Sequence, residues 1–418
     1  MLRRRFLTLF LASTLFGFTR EIQAQDWPQF RGPHRDGVSP DKGLLKEWPK
    51  DGPEVVWKCS DLGVGFSSVA IQGDRIYTMG DLKDGCYVFG IDRAKGTLLW
   101  KKLIGKAGGN YVGPRCTPTA DGDSVYALGQ FGDFVCLDSK TGEERWKKNI
   151  GKDFKGRSGG WNFAESPLID GDKLVVTPGG ADFTMVALNK KTGDLIWKGL
   201  VPGGDTAGYS SIVVADIDGV KQYIQLMANG LVSFSADKGE LLWRYGTGND
   251  RFGHNTANIP TAIVQGNQIF ASAGYGRGAA LLTVSSSGGK FDVHEEYWVN
   301  ALTNKHGGVI HVGDSVYGDR DDSGRPWSAD FKTGKVKWSK SDRSKGNGSA
   351  SPTFADGLLY IRYANGWVSL VNPEDGKEIS TFKIPNGSSN CWAHPVVIGG
   401  KMYIRENDTL WCYDVKGK

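Results

Sequence analysis

The chain has 418 residues, 23% of them charged, and a formal net charge of +5. That composition excludes a disordered chain. The 59 glycines and 14 tryptophans, with few long amphipathic stretches, point to short strands and tight turns rather than helices.

The first segment reads as a Sec-type signal peptide. "MLRRR" is a basic start, and Phe6–Phe18 is a 13-residue apolar run, too short to span a bilayer as a stable helix. Cleavage is expected after Ala24, with no Cys nearby for a lipid anchor. Removing residues 1–24 takes away four arginines and one glutamate, so the net charge falls from +5 to +2. No basic stripe is left to attract nucleic acid. No further apolar run is long enough to span a membrane, so the mature protein is expected to be periplasmic or secreted.

Residues 25–53 carry no repeat. "WPQFRGP" (27–33) reads as a strap, with Trp27 and Phe30 packing on the rim of the following domain. The alternative is a docking peptide for a partner. The absence of a charge run or helical pattern favours the strap.

From residue 54 onward two phrases recur. The first is a turn followed by a short strand: "GDRIY" (73–77), "GDSVY" (122–126), "GDKLV" (171–175), "GVKQYI" (219–224), "GNQIF" (266–270), "GDSVY" (313–317), "DGLLY" (356–360) and "GKMYI" (400–404). These eight starts are spaced by about 42 to 49 residues. The second phrase is small–x–Asp–x–x–Thr–Gly–x–x–x–Trp, with Gly four positions before Trp100, Trp146, Trp197, Trp243 and Trp338. The fifth copy is altered by an insertion and ends on Trp298. The seventh has Ser380 where Trp is expected.

Each copy amounts to about four short strands, which cannot bury a core alone but can when repeated radially. The eighth copy reaches "LWCYDVKGK" (410–418) without its tryptophan strand, whereas "EVVWK" (54–58) carries Trp57 and has no preceding copy. An N-terminal strand closing the last sheet predicts an eight-bladed all-β propeller over 54–418, and a closed ring predicts a monomer. The docking tryptophans (Trp57, Trp100, Trp146, Trp197, Trp243, Trp298 and Trp338) are expected to fill the wedges between blades, each N–H on a backbone partner.

Loops that enter each first strand converge at the channel mouth, where ligand sites gather. Here they carry Arg115, Trp161, Glu165, Tyr209, His254, His306, Trp392 and His394. These eight are the candidate ligand-binding residues. The competing reading is that Gly/Ser/Asn-rich loops on any propeller need polar residues. The three histidines come from different blades and nothing fixes their spacing, so no metal site is predicted. "DRDDSGRPWSAD" (319–330) has the spacing of a calcium loop but no flanking helices, and reads as a polar turn. No G-x-S-x-G elbow, HExxH or phosphate loop occurs.

The six cysteines, Cys59, Cys86, Cys116, Cys136, Cys391 and Cys412, allow 15 full pairings, and free buried thiols are an equal alternative. Cys412 and Cys59 fall in strands expected to be neighbours. Pairing 138 with 143 in the hairpin at 134–148 puts Cys412 about three residues out of register with Cys59, on opposite faces.

The second phrase resembles the tryptophan-docking repeat of the pyrroloquinoline quinone (PQQ) propellers, over residues 54–418. That family includes eight-bladed quinoprotein dehydrogenases and a non-catalytic outer-membrane assembly lipoprotein. "DWPQFRGPHRDG" (26–37) is similar to the leader of secreted PQQ-like propellers of planctomycete bacteria. For the dehydrogenases the resemblance implies PQQ, calcium, a carboxylate base and often two adjacent cysteines. This chain has no Cys–Cys pair, and its "GTGN" (246–249) follows an outer strand rather than an inner one. The expected role is therefore non-catalytic: an extracytoplasmic propeller binding a protein or small ligand at the entering-loop face, with no cofactor. A PQQ- and calcium-dependent alcohol or sugar dehydrogenase is the alternative.

Overall fold

The computed structural model describes residues 25–340, 345–387 and 390–417; the expected signal peptide lies outside them. The chain forms eight four-stranded antiparallel sheets, each a blade, arranged as an eight-bladed β-propeller. Blades 1 to 7 are each continuous in sequence. Their innermost strands begin at Ala70, Thr119, Leu168, Val213, Ile263, Ile310 and Ala350. Blade 8 takes its three inner strands from Val396–Ile398, Lys401–Glu406 and Thr409–Asp414, and its outer strand from Glu54–Cys59. The N-terminal strand closes the ring.

Burial follows from this geometry. Second and third strands are covered on both faces by neighbouring blades, as in Ser124–Leu128 and Gly230–Ser235, where every residue is buried. Outer strands such as Leu195–Gly199 bury only some positions, Trp197 among them. In blades such as 1, 2, 3, 6 and 7 the turn before the outer strand is built by an acidic or amide residue. Asp138 Oδ1 accepts from the backbone N–H groups of Lys140 and Thr141 and from the Thr141 hydroxyl, a local arrangement that favours Asx turns.

That turn is also where the blades lock. The Trp of one blade lies over the turn glycine of the next and donates to a backbone carbonyl there. Trp57 Nε1 reaches Arg93 O at 3.1 Å, Trp100 Ser139 O at 3.3 Å, Trp146 Lys190 O at 3.0 Å, Trp197 Ala236 O at 3.2 Å and Trp338 Pro373 O at 2.8 Å. A Cβ on Gly142 would stand 2.5 Å from Trp100, and its φ of +73° already favours glycine.

Two expected docking residues behave differently. The long blade 5 hairpin (Gly278–Ser287 to Lys290–Val299) turns at Gly288 and Gly289, neither of which lies against Trp243, and Trp243 turns back to its own sheet and donates to Gln222 Oε1 at 2.9 Å. In blade 5 the docking slot belongs to Tyr297, not Trp298. Tyr297 lies over Gly334, and its hydroxyl donates to Phe331 O at 2.8 Å. Trp298 packs the other way, against Phe252 and the Arg251 guanidinium.

A β-bulge just before Trp57, Trp100, Trp146, Trp197, Trp243 and Trp338, and before Tyr297 in blade 5, decides such facing. In blade 2 Cys136 pairs with Trp146 and Leu137 with Glu144, leaving Arg145 as the extra residue. The same shift at Val55–Trp57 pairs Trp57 with Cys412 and Cys59 with Leu410. Cys59 is therefore two positions out of register with Cys412, not three. Because side chains alternate with period two, both face one cluster rather than opposite sides. The bulge is the residue that the unbulged pairing leaves out. They are nonetheless separate: all six cysteines are buried free thiols.

The segment 25–53 crosses the end of the channel opposite the entering loops. Trp27 pairs with Ile71 and is 1% exposed. Arg31 then donates to Val309 O. Arg35 donates to the carbonyls of Ser166, Pro167 and Ile212. The chain leaves along Phe354 and past Lys416 to Trp48. Trp27 thus packs on the innermost strand of blade 1 rather than on the rim, and Phe30 lies in the channel against His394. Trp48 occupies the wedge of blades 7 and 8, where Ser380 has no indole to offer. It packs on Tyr360 and Phe382, and Ser380 Oγ accepts its backbone N–H.

Three outcomes test this account. Deleting residues 54–58 strips blade 8 of its outer strand and is expected to abolish the monomeric fold, read by size exclusion and thermal melting. Gly142→Ala combines a disfavoured φ with a clash and is expected to cost roughly 2–5 kcal/mol in urea unfolding. Gly122→Ala, with φ +61° and open space, should cost only about 1–2 kcal/mol.

Candidate functional site

The entering loops of blades 1 to 6 and 8 surround a cavity of about 240 Å³ at the channel mouth. Its floor is Phe30 and Arg31 of the strap, brought up from the opposite end. Tyr111, 54% exposed, stands at its lip.

Three rings form one wall. Trp392 stacks on His306 at 4.0 Å between centroids and 5°, and on Phe66 at 4.3 Å and 24°. Tyr111 leans on the same indole at 5.3 Å. Arg115 lies over the free face of Phe66 at 5.6 Å, and donates to Gly113 O and Asn110 O. Opposite, Trp161 meets Tyr209 edge-on at 5.9 Å, and the Tyr209 hydroxyl accepts the Trp161 backbone N–H.

Three polar groups of blade 6 are tied to one another. Asp322 Oδ2 lies 2.7 Å from His306 Nδ1 and 3.2 Å from Lys305 Nζ. Burial raises the Asp322 carboxyl, but His306 and Lys305 outweigh it and hold it below its usual range. Lys305 also sits over the Tyr275 ring at 4.4 Å. His394 is buried against Phe30 with Nε2 3.1 Å from His306 O. Burial, with help from Arg31, pushes its pKa down to about 3, so it is neutral. Arg31 is lowered by burial to about 10 and stays charged at neutral pH.

Of the candidates from sequence, Arg115, Trp161, Tyr209, His306, Trp392 and His394 line this cavity. Glu165 does not. It is buried in the wall of blade 3, where Oε2 accepts from Thr177 N and Gln225 Nε2. Burial raises it to about 7. His254 is exposed on a left-handed turn (φ 52°) outside the cavity. Residues not anticipated are Phe30 and Arg31 from the strap, Phe66 and Tyr111 from the entering loops of blades 1 and 2, and Lys305 beside His306. Tyr275 and Asp322 come from turns between second and third strands rather than from entering loops. Aromatic residues within Gly-rich loops such as "GGNYVGPR" (108–115) were the one available signal.

The acidic turn of blade 6 is not arranged for calcium. Asp319 accepts from Arg325 N and Ala350 N, Asp321 from Tyr275 N and Gly276 N, and Asp322 serves His306 and Lys305. Burial and the nearby Asp322 raise Asp319 to about 8. Calcium takes six to eight oxygen ligands, yet the one carboxylate lining the cavity is already neutralised. Among the described residues no group of three His, Cys, Asp or Glu side chains is placed to hold a metal. The donor set thus does not fit the calcium that accompanies PQQ in the resembling dehydrogenases.

A family model described as outer membrane protein assembly factor BamB matches residues 84–340 and 321–418. Tetrathionate hydrolase of Acidithiobacillus ferrooxidans is 22% identical over 330 residues, 76% of this chain and 53% of its own. The chain thus spans about half the length of that relative. Outer membrane protein assembly factor BamB of Burkholderia pseudomallei is 22% identical over 357 residues, 74% of this chain and 85% of its own. The crystal structure of quinohemoprotein alcohol dehydrogenase from Comamonas testosteroni superposes with a TM-score of 0.65 at 14% identity, covering 95% of this chain and 81% of that one. At that identity the likeness is one of fold.

The neutral His394 generates a pH prediction. Its folded pKa lies below its unfolded value near 6.5, so its contribution is present above pH 6.5 and lost as pH falls toward 3. Relative to His394→Gln, the wild type is expected to lose roughly 2 kcal/mol between pH 6.5 and 4.5, measured by urea unfolding of both across that range.

Proposed function

Because the chain belongs to the outer membrane protein assembly factor BamB family of repeat propellers, we propose that it is an extracytoplasmic, non-catalytic propeller. It binds a protein segment or a small ligand in the cavity at its entering-loop face. Cleavage after Ala24 releases a mature chain of strap (25–53) and propeller (54–418) outside the cytoplasm.

The observation that carries this reading is the cavity itself. Aromatic rings from six loops and the strap converge on it, and its one carboxylate, Asp322, is already committed to His306 and Lys305. The His306–Asp322 pair has no Ser, Thr or Cys hydroxyl or thiol bonded to it among the described residues. A site that is apolar in area and fixed in its polar contacts suits binding and orientation. The fold alone says little about activity.

The dehydrogenase reading draws on fold likeness, but the absence of free carboxylates in the cavity counts against it. Residues 25–418, incubated with PQQ and Ca²⁺, are expected to reduce no artificial electron acceptor with alcohols or sugars. Turnover above the no-enzyme rate would overturn the non-catalytic reading. A rise in melting temperature with a bound ligand, lost in Trp392→Ala, is the expected positive signature.

A further inference from the structure

The apolar surface of the cavity does not stop at its lip. Beside Tyr111, Val112 (49%), Val64 (42%) and Phe131 (37%) lie open to solvent. They are neighbours. The loop that carries Tyr111 and Val112 runs between the other two, since a Cβ on Gly113 would stand 2.4 Å from Val64 O and one on Gly109 3.6 Å from Phe131 Cζ. Apart from Tyr275 across the mouth, the other exposed large apolar residues lie on or beside the outer strands. A contiguous apolar strip on an otherwise polar surface marks a contact site.

The strip is held out rigidly. Asp81 Oδ2 accepts from Gly108 N and from Gln130 Nε2, both at 2.8 Å, and Arg115 ties down the carbonyls of Asn110 and Gly113. Tyr111 adopts φ +56° and Tyr275 φ +60°, the left-handed region that bulky side chains avoid. Two tyrosines are thus kept at the mouth against their local preference, lining the cavity and open to solvent at once.

Size and charge bear on what binds. The cavity, about 240 Å³, falls below the range of about 300–1,000 Å³ usual for small-molecule and cofactor sites. It has room for one bulky side chain and not for a helix of about 10 Å diameter. A ligand confined to it would leave the strip beside Tyr111 uncovered. A chain that enters with one side chain and continues over the lip covers both, with its anchor in a pocket and an apolar collar around it. Arg31, Arg115 and Lys305 line the cavity against one carboxylate, Asp322, so acidic residues beside the anchor are favoured over basic ones.

We propose that the cavity and the entering loop of blade 2 form one docking site for an extended segment of a partner protein. The segment seats one bulky apolar side chain in the cavity, lays its next residues across Tyr111, Val112 and Phe131, and carries acidic residues beside the anchor. This rests on the binding reading above and chooses the protein segment over the small ligand. Val112 and Phe131 are specificity-determining, although neither lines the cavity.

The test pans a random dodecapeptide phage library against residues 25–418 and measures the enriched sequences as synthetic peptides by fluorescence anisotropy. They are expected to share one large apolar residue with acidic neighbours. They are expected to bind at least tenfold tighter than N-acetyltryptophanamide or N-acetylleucinamide, which offer an anchor alone. Trp392→Ala, in the cavity, and the double variant Val112→Ser, Phe131→Ser, outside it, should each weaken the peptides at least tenfold. The double variant should leave the single-residue amides within twofold. If it lowers the melting temperature, Val112→Ser alone, which removes only an exposed side chain, is expected to weaken the peptides at least threefold. No enrichment, enrichment of basic peptides, peptides no tighter than the amides, or undiminished binding to the Val112 variants overturns the proposal. None of these results touches the non-catalytic reading, which falls only if the PQQ assay gives turnover.

Discussion

An indole lying on a glycine holds each blade to the next. The contact demands three things at once: a tryptophan aimed by a bulge, a glycine in the left-handed region one blade further on, and a free carbonyl beside it. The neighbouring sheet supplies the last two, so no blade can complete its outer face alone. This is why the repeat spreads as a ring, and why the closing strand with Trp57 obeys the same rule over Gly96 and Arg93. Where one component is missing, the molecule substitutes for it. Tyr297 docks by its hydroxyl, Trp243 retreats to its own sheet, and Trp48 is imported from outside the repeat.

The strap is bound by a different logic. Its hydrogen bonds run to carbonyls at the inner ends of several blades, through two arginines that cross the channel. It therefore couples three places that are distant in sequence: the wedge between blades 7 and 8, the bottom of the channel and the floor of the cavity. The cavity is bounded by loops above and by this segment below, so its depth is set by where Phe30 and Arg31 stop.

Much of the fold was legible because its determinants are local. The Asx turn, the glycine and the tryptophan lie within one short phrase, and Trp57 stood out as a strand without a copy. What escaped depends on single-residue shifts or on remote partners. The bulge at Val56 moves Cys59 to the same face as Cys412. Tyr297 and Trp298 are adjacent, and only the register chooses between them. The site was legible in part. Loop position alone singled out six of the eight candidates that meet at the cavity. It could not separate Glu165, turned into the wall toward Thr177 and Gln225, from residues that face the opening. Nor could it find Arg31, whose place is fixed by contacts with Val309 and Asp36 rather than by any motif.

Ring closure by the N-terminal strand also sets an order of events. Asp41 bonds to the Gly400 amide, 359 positions away, and Glu54 pairs with Asp414. Residues 25–58, which precede every blade in the chain, are thus finished last. Blades 1 to 7 can stack as each emerges, but the strap has no channel to cross and its outer strand no partner until blade 8 exists. Such long-range pairings form slowly and leave sheet edges open meanwhile. The cavity floor is therefore a late product of folding, and a chain with Arg31 in place is one whose ring has closed.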